Sequence, residues 1–292
     1  MKMTLQLFSL FIMIMMLCSC TDDVKKSISF EDKAINMSQI SENNLENTTS
    51  NNDEKVRNLS TKKVCHSYGV AKNGVPHEIS ENAQKYFEEN NFDAYCLDTK
   101  TKEKVLYLTF DCGYENGYTN KILDILKEKQ VPSAFFCTLP QVKENKELVK
   151  RMIDEGHIVG NHSVTHPSFA EISKDKMINE VKTMDNYLKE NFNYSEPFFR
   201  FPKGEYNEVA LNALNEMGYS CVFWSLAYSD WNLDKQMGSD KAYNTVISRL
   251  HPGAVILLHS VSPDNTAILG KVIDYAKSEG YEFRSLRDYP KK

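Results

Sequence analysis

From residue 105 onward the chain alternates short apolar runs with amphipathic stretches, and no other feature restricts its fold as much. The runs at 105–110 (VLYLTF), 131–137, 157–160, 197–201, 220–225 and 254–258 read as strands, continuously apolar enough to be buried on both faces. Between them lie helical patterns. Thr119 is placed to cap a helix whose apolar positions are Ile122, Leu123, Ile125 and Leu126. Further helices are expected over 145–155, stopped by Gly156, from Ser173 to about 190, over 208–217, ended by Gly218, over 242–250 and over 266–279. Strict alternation of strand and helix predicts an α/β fold, a parallel sheet wrapped by helices into a barrel. In such a barrel, reactive side chains gather at the carboxyl ends of the strands.

The N-terminal third reads differently. An apolar run at about 5–17 follows a single lysine, which suits a signal-peptide core and is too short to span a bilayer comfortably. It ends in Leu17-Cys18-Ser19-Cys20, which resembles the bacterial lipobox. That resemblance implies removal of 1–19 and lipid attachment at Cys20, hence a membrane-anchored lipoprotein; simple secretion is the alternative. On either reading the folded part lies outside the cytoplasmic membrane. Residues 20–63 are rich in Asn, Ser, Glu, Lys and Thr and have no apolar period, so a flexible tether is expected there. Residues 64–103 are expected to form an extension packed on the barrel, and 104–292 the main domain. A net charge of −5 argues against a nucleic-acid partner, for which a clustered basic face is needed. Cys137 and Cys221 sit in apolar contexts that suit a core, while Cys65 and Cys96 are open to pairing in an oxidising compartment.

The strand ends carry the chemistry. Asp111 follows VLYLTF; His162 and His166 stand four apart in NHSVTHPSF; Arg200 lies in FFRFPKGEYN; Asp230 ends FWSLAYSD; His259 closes AVILLH. Two imidazoles at that spacing can offer neutral nitrogens to one divalent ion. A carboxylate, a metal pair, an arginine, a second acid and a third imidazole together can hydrolyse an amide. His66, His77, His157 and His251 lack such company.

The ordered motifs TFDxG, HSxxH, RxPxG, DW and LLH resemble those of the polysaccharide deacetylases, the NodB-like carbohydrate esterases, over about 104–286. The resemblance implies a distorted (β/α) barrel and metal-dependent removal of acetyl groups from N-acetylated sugars. It implies Asp111 as general base, His162 and His166 as ligands of a divalent metal ion, expected to be zinc, and Arg200 as the partner that keeps Asp111 ionised. His259 is then the general acid, oriented by Asp230; the Lys203 N–H helps hold the oxyanion, and Trp231 walls the sugar site. Cys112 stands where most of the family has a second metal-binding aspartate. Its thiolate either ligates the metal or stays protonated, leaving two histidines.

The string TFDCGYENGYT is similar to that of the branch acting on N-acetylmuramic acid in peptidoglycan. That implies a product leading to muramic δ-lactam of the spore cortex, and a cell-wall amidase as functional partner. Peptidoglycan N-acetylglucosamine or chitooligosaccharides are the alternative substrates, and a non-catalytic wall-binding lipoprotein is the alternative of another class.

Overall fold

The computed structural model describes residues 58–290. The expected signal peptide, Cys20 and most of the expected tether lie outside the described residues. In chain order the elements are β1 (Val64–Cys65), α1 (Glu78–Glu89), β2 (Ala94–Tyr95), β3 (Val105–Cys112), α2 (Thr119–Lys129), β4 (Ser133–Cys137), α3 (Leu139–Glu144), α4 (Lys146–Asp154) and β5 (Ile158–Asn161). Then follow α5 (Lys174–Phe192), β6 (Phe198–Phe199), β7 (Glu205–Tyr206), α6 (Glu208–Glu216), β8 (Ser220–Val222), α7 (Ser239–Ile247), β9 (Ala254–His259), α8 (Pro263–Ser278) and β10 (Glu282–Phe283).

β3 is the spine, and every residue of it is buried. β9 runs parallel along one edge, and β4 along the other. From β4 the parallel sheet continues through β5, β6 and β8 to β2. Isolated bridges from Leu97 to Ala254 and from Leu226 to Ile256 return the far side to β9, so the sheet nearly closes into the expected barrel.

The pleat of β3 sends alternate side chains to opposite faces. Val105 and Tyr107 fill the barrel interior with Phe136, Phe198, Val222 and Val255. Leu106, Leu108, Phe110 and Cys112 belong instead to the apolar layer under the helices, with Ile122, Leu123, Leu126 and Ile273. An interior filled this way is solid, and chemistry is confined to its open end. There Asp111 of β3 pairs in register with His259 of β9.

Local expectations needed several corrections. Thr119 does not cap α2; it is the first helical residue, and its N–H and hydroxyl both donate to Glu115. The carboxylate lies four residues upstream, where no capping spacing points. The helix expected over 145–155 is found as α4, and a short helix not expected from the sequence, α3, precedes it and meets it at Asn145. Helix α8 starts at Pro263, whose missing N–H costs nothing in a first turn, with Ser262 accepting from Asn265 N–H as the cap. The tether expected to run to 63 ends sooner: Leu59 packs on the core, Ser60 N–H donates to Glu208 at 2.8 Å, and Lys63 pairs with Glu205 at 2.9 Å. The extension over 64–103 supplies β1, α1 and β2. Within it α1, capped by His77 accepting from Ile79 N–H, covers the core with Phe87. Cys96 is buried while Cys65 is exposed on β1.

Candidate active site

Arg200 has no exposed surface, so its charge must be met inside the barrel mouth. Nη1 donates to Asp111 Oδ1 at 2.8 Å, Nη2 to Thr109 Oγ1 at 2.9 Å and Nε to the Val222 carbonyl at 2.9 Å. The guanidinium also lies 4.2 Å over the Phe136 ring, a cation–π contact. Burial by itself would raise the Asp111 pKa; the Arg200 charge, first among the groups that oppose it, outweighs it and holds the carboxyl below its ordinary value.

His162 Nδ1 lies 2.8 Å from the Arg200 carbonyl. A carbonyl only accepts, so Nδ1 carries the hydrogen and Nε2 keeps its lone pair, 3.6 Å from Asp111 Oδ2. The His166 ring stands edge-on to it, centroids 4.8 Å apart. Burial lowers the pKa of both rings, that of His166 to about 3, so both are neutral near pH 7. The loop that carries them is tightly wound: Ser163 and His166 adopt φ of 70° and 56°. Ser163 Oγ accepts from His166 N–H at 3.0 Å, and Glu180 of α5 accepts from the N–H groups of Val164 and Thr165 and from the Thr165 hydroxyl. Nothing in the sequence pattern marks Glu180 for this role.

Two neutral imidazoles with a carboxylate beside them suit a divalent cation of borderline softness. Cys112 does not join them. It is fully buried on the helix-facing side of β3, beside Cys137, which pairs with it in register on β4; both thiols are free. Among the described residues no three His, Cys, Asp or Glu side chains cluster so as to hold a metal ion.

Opposite Asp111, His259 is locked to Asp230. Nδ1 donates to Asp230 Oδ1 at 2.7 Å and the backbone N–H to Oδ2 at 2.8 Å. Asn265 Nδ2 donates to the same Oδ2, and the Tyr228 hydroxyl donates to Asn265, so the acid is held from three sides. Burial would lower the His259 pKa; the Asp230 charge and hydrogen bond reverse that and raise it. The His259 side chain remains partly open to solvent.

Lys203 lies in the turn Pro202–Gly204 right after Arg200, with φ of 59° and an exposed side chain. The turn is clamped from behind: His66 N–H donates to the Gly204 carbonyl at 2.9 Å, and the His66 ring stacks on Phe223 and bonds the Trp224 carbonyl at 2.7 Å. His66, set aside on sequence grounds, therefore braces the turn. Trp231 and Tyr114 are exposed on the loops following Asp230 and β3. The structure thus brings Asp111, His162, His166, Arg200 and His259 with its Asp230 to one barrel end, and sets Cys112 apart.

Comparison with known proteins gives the same answer as this geometry. The polysaccharide deacetylase family model matches residues 98–222. Peptidoglycan-N-acetylmuramic acid deacetylase PdaA of Bacillus subtilis is 43% identical over 198 residues, 68% of this chain and 75% of that protein. A peptidoglycan-N-acetylglucosamine deacetylase of Bacillus cereus is 32% identical over 66% of this chain and 70% of its own length. The solved structure of Bacillus subtilis PdaA, a family 4 carbohydrate esterase, superposes with a TM-score of 0.75 at 38% identity, covering 79% of this chain and 98% of that one. The chain belongs to the polysaccharide deacetylase family. It is an N-deacetylase, a hydrolase of sugar acetamides.

Proposed function

We propose that the substrate is N-acetylmuramic acid in peptidoglycan, and that the freed amine goes on to form muramic δ-lactam of the spore cortex. The higher identity to the muramic enzyme than to the glucosamine enzyme supports this choice, as does the string TFDCGYENGYT. One observation carries the chemistry. Asp111 and His259 stand side by side in register on adjacent strands, and their surroundings push the acid's pKa down and the imidazole's up. At neutral pH that leaves one group able to take a proton and the other able to give one.

A divalent ion, with zinc the best match to the donors, would be held by His162 and His166. When bound, it polarises the acetamide carbonyl and lowers the pKa of water toward about 7. Asp111, kept ionised by Arg200, accepts the proton of the attacking water. The Lys203 N–H is assigned to hold the developing oxyanion, since Pro202 has no N–H to offer. His259 then passes a proton to the departing amine, giving acetate and a glycan amine. Trp231 offers an exposed ring against which a sugar can lie. Lactam closure joins that amine to the lactyl carboxyl, so an amidase must first remove any stem peptide. The enzyme works outside the cytoplasmic membrane, anchored by lipid on Cys20 or, failing lipidation, secreted.

The test is mass spectrometry of zinc-loaded enzyme acting on peptide-free glycan strands, with released acetate measured in parallel. Loss of acetyl from muramyl residues, with or without loss of water, supports the reading. Deacetylation confined to glucosamine residues, or action on chitooligosaccharides alone, gives the substrate to the alternative. Glycan binding without acetate release would make the chain a wall-binding lipoprotein.

A further inference from the structure

Two aromatic side chains stand open to solvent at the barrel end that holds the site: Tyr114 is 48% exposed and Trp231 42%. A lone exposed ring needs no explanation, but these two ride on backbone that is held from several sides. Around Tyr114, the Thr138 hydroxyl donates to the Gly113 carbonyl at 3.1 Å, Glu115 accepts from Thr119, and Asn116 Nδ2 donates to the Val261 carbonyl at 3.0 Å. Around Trp231, Gln236 Nε2 donates to the carbonyls on either side, those of Asp230 at 2.7 Å and Asn232 at 2.9 Å. Gln236 Oε1 accepts from the Ser262 hydroxyl at 2.7 Å. Both loops are thus clipped to Val261 and Ser262, the second and third residues after His259. Among the described residues nothing stacks on the Tyr114 ring or bonds its hydroxyl.

Sheet order sets the separation of the two rings. β9 lies between β3, which leads to Tyr114, and the segment at Leu226, which leads to Trp231. Adjacent strands stand about 4.8 Å apart, so the two loops leave the barrel roughly 10 Å from one another, one on each side of His259. That is wider than one sugar ring. We infer that Tyr114 is a substrate-binding residue whose ring takes a second sugar of the glycan strand, next to the one that loses its acetyl group against Trp231. This rests on the reading above, in which Asp111 and His259 act on the acetamide, and extends it along the strand. One side of a pyranose carries C–H bonds that lie flat on an aromatic ring, and covering both removes apolar surface from water. The contact uses no group that differs between muramic acid and glucosamine. It therefore selects a polymer over a single sugar, and not one sugar over another.

The experiment uses zinc-loaded enzyme and peptide-free glycan strands of about eight sugars. Tyr114→Ala is expected to raise KM about tenfold with little change in kcat, the scale of leaving one aromatic face uncovered. Tyr114→Phe, which keeps the ring, is expected to keep most of the affinity. Binding of a strand that has already lost its acetyl groups, read by calorimetry, should weaken in Tyr114→Ala by the same factor. Because the side chain is exposed, Tm should stay near the wild-type value, which separates a lost contact from a lost fold. An unchanged KM in Tyr114→Ala, or an equally large loss in Tyr114→Phe, would overturn the assignment while leaving the catalytic reading intact. Strand binding that depends on Tyr114, without acetate release by wild-type enzyme, would keep the contact and remove that reading instead.

Discussion

In the proposed reaction Asp111 and His259 work as a pair, because each has a partner of opposite charge. The pH dependence follows from the signs. Asp111 is held below the ordinary carboxylate range, so the base stays competent well into mild acid. His259 is raised above 6.5, so the acid stays protonated beyond the usual imidazole range. kcat/KM should be bell-shaped, with its alkaline limb above that value. Asp230→Asn removes the charge that raises His259; the alkaline limb is expected to move to lower pH and kcat to fall by about 10²-fold. An unshifted limb would mean that another group titrates there. Cys112 makes a separate prediction. As a buried apolar contact of the helix layer, its replacement by Ala should cost about 1 kcal/mol in urea unfolding and leave the stoichiometry of the proposed metal ion unchanged. At this scale the sequence was informative about which side chains gather at the barrel mouth. Asp111, both histidines, Arg200, Asp230 and His259 announce themselves by motif. Their supports do not: Thr109 looks like any strand threonine, and Asn265, which steadies Asp230, lies 35 positions from it.

Among the elements, long ones were legible and borrowed ones were not. β3 and β9 hold enough apolar residues to declare themselves, and α5 opens at Ser173 as its cap predicts. β1 and β7 have two residues each and exist because they pair with one another across the chain, which local pattern does not encode. Helix α1 escaped because its cap is a histidine and few of its residues are buried. The element that most directly serves the site is α5, through Glu180. Three donors of the histidine loop converge on that carboxylate, so Glu180→Ala leaves them without their acceptor and lets His162 and His166 drift. Affinity for the proposed metal ion, read by competition with a chelator, is expected to weaken by 10–100-fold while secondary structure by circular dichroism is retained. An affinity within twofold of wild type would show that the loop holds itself.

For the whole molecule, the weak place is the seam between the β2/β8 side and β9. Elsewhere neighbouring strands share ladders, but here closure depends on the isolated bridges at Leu97 and Leu226 and on Gly253. Gly253 has φ of 76°, donates to the Val105 carbonyl at 2.8 Å and accepts from Asp98 N–H at 2.9 Å. A Cβ on it would fall 2.0 Å from the Asp98 carbonyl oxygen, and backbone has little room to yield. Gly253→Ala should therefore lower stability by about 3 kcal/mol or more, or roughly 6–12 °C in Tm by calorimetry, although no reacting group is touched. A Tm within 2–3 °C of wild type, on the order of a single kcal/mol, would show that the seam flexes freely. The barrel class was readable because alternation of strand and helix is a property of the whole string. The seam was not, since it depends on which distant segments fail to form a ladder.

Ser163, His166 and Lys203 share a left-handed backbone that side-chain-bearing residues adopt reluctantly, and all three border the reacting groups. Heat-tolerance screening alone would favour glycine or asparagine at such positions, where relief of backbone tension is readily gained. At 163 that exchange also removes the hydroxyl that steadies His166. Directed evolution toward a hardier version of this enzyme is thus expected to yield a slower one, unless those three codons are held fixed.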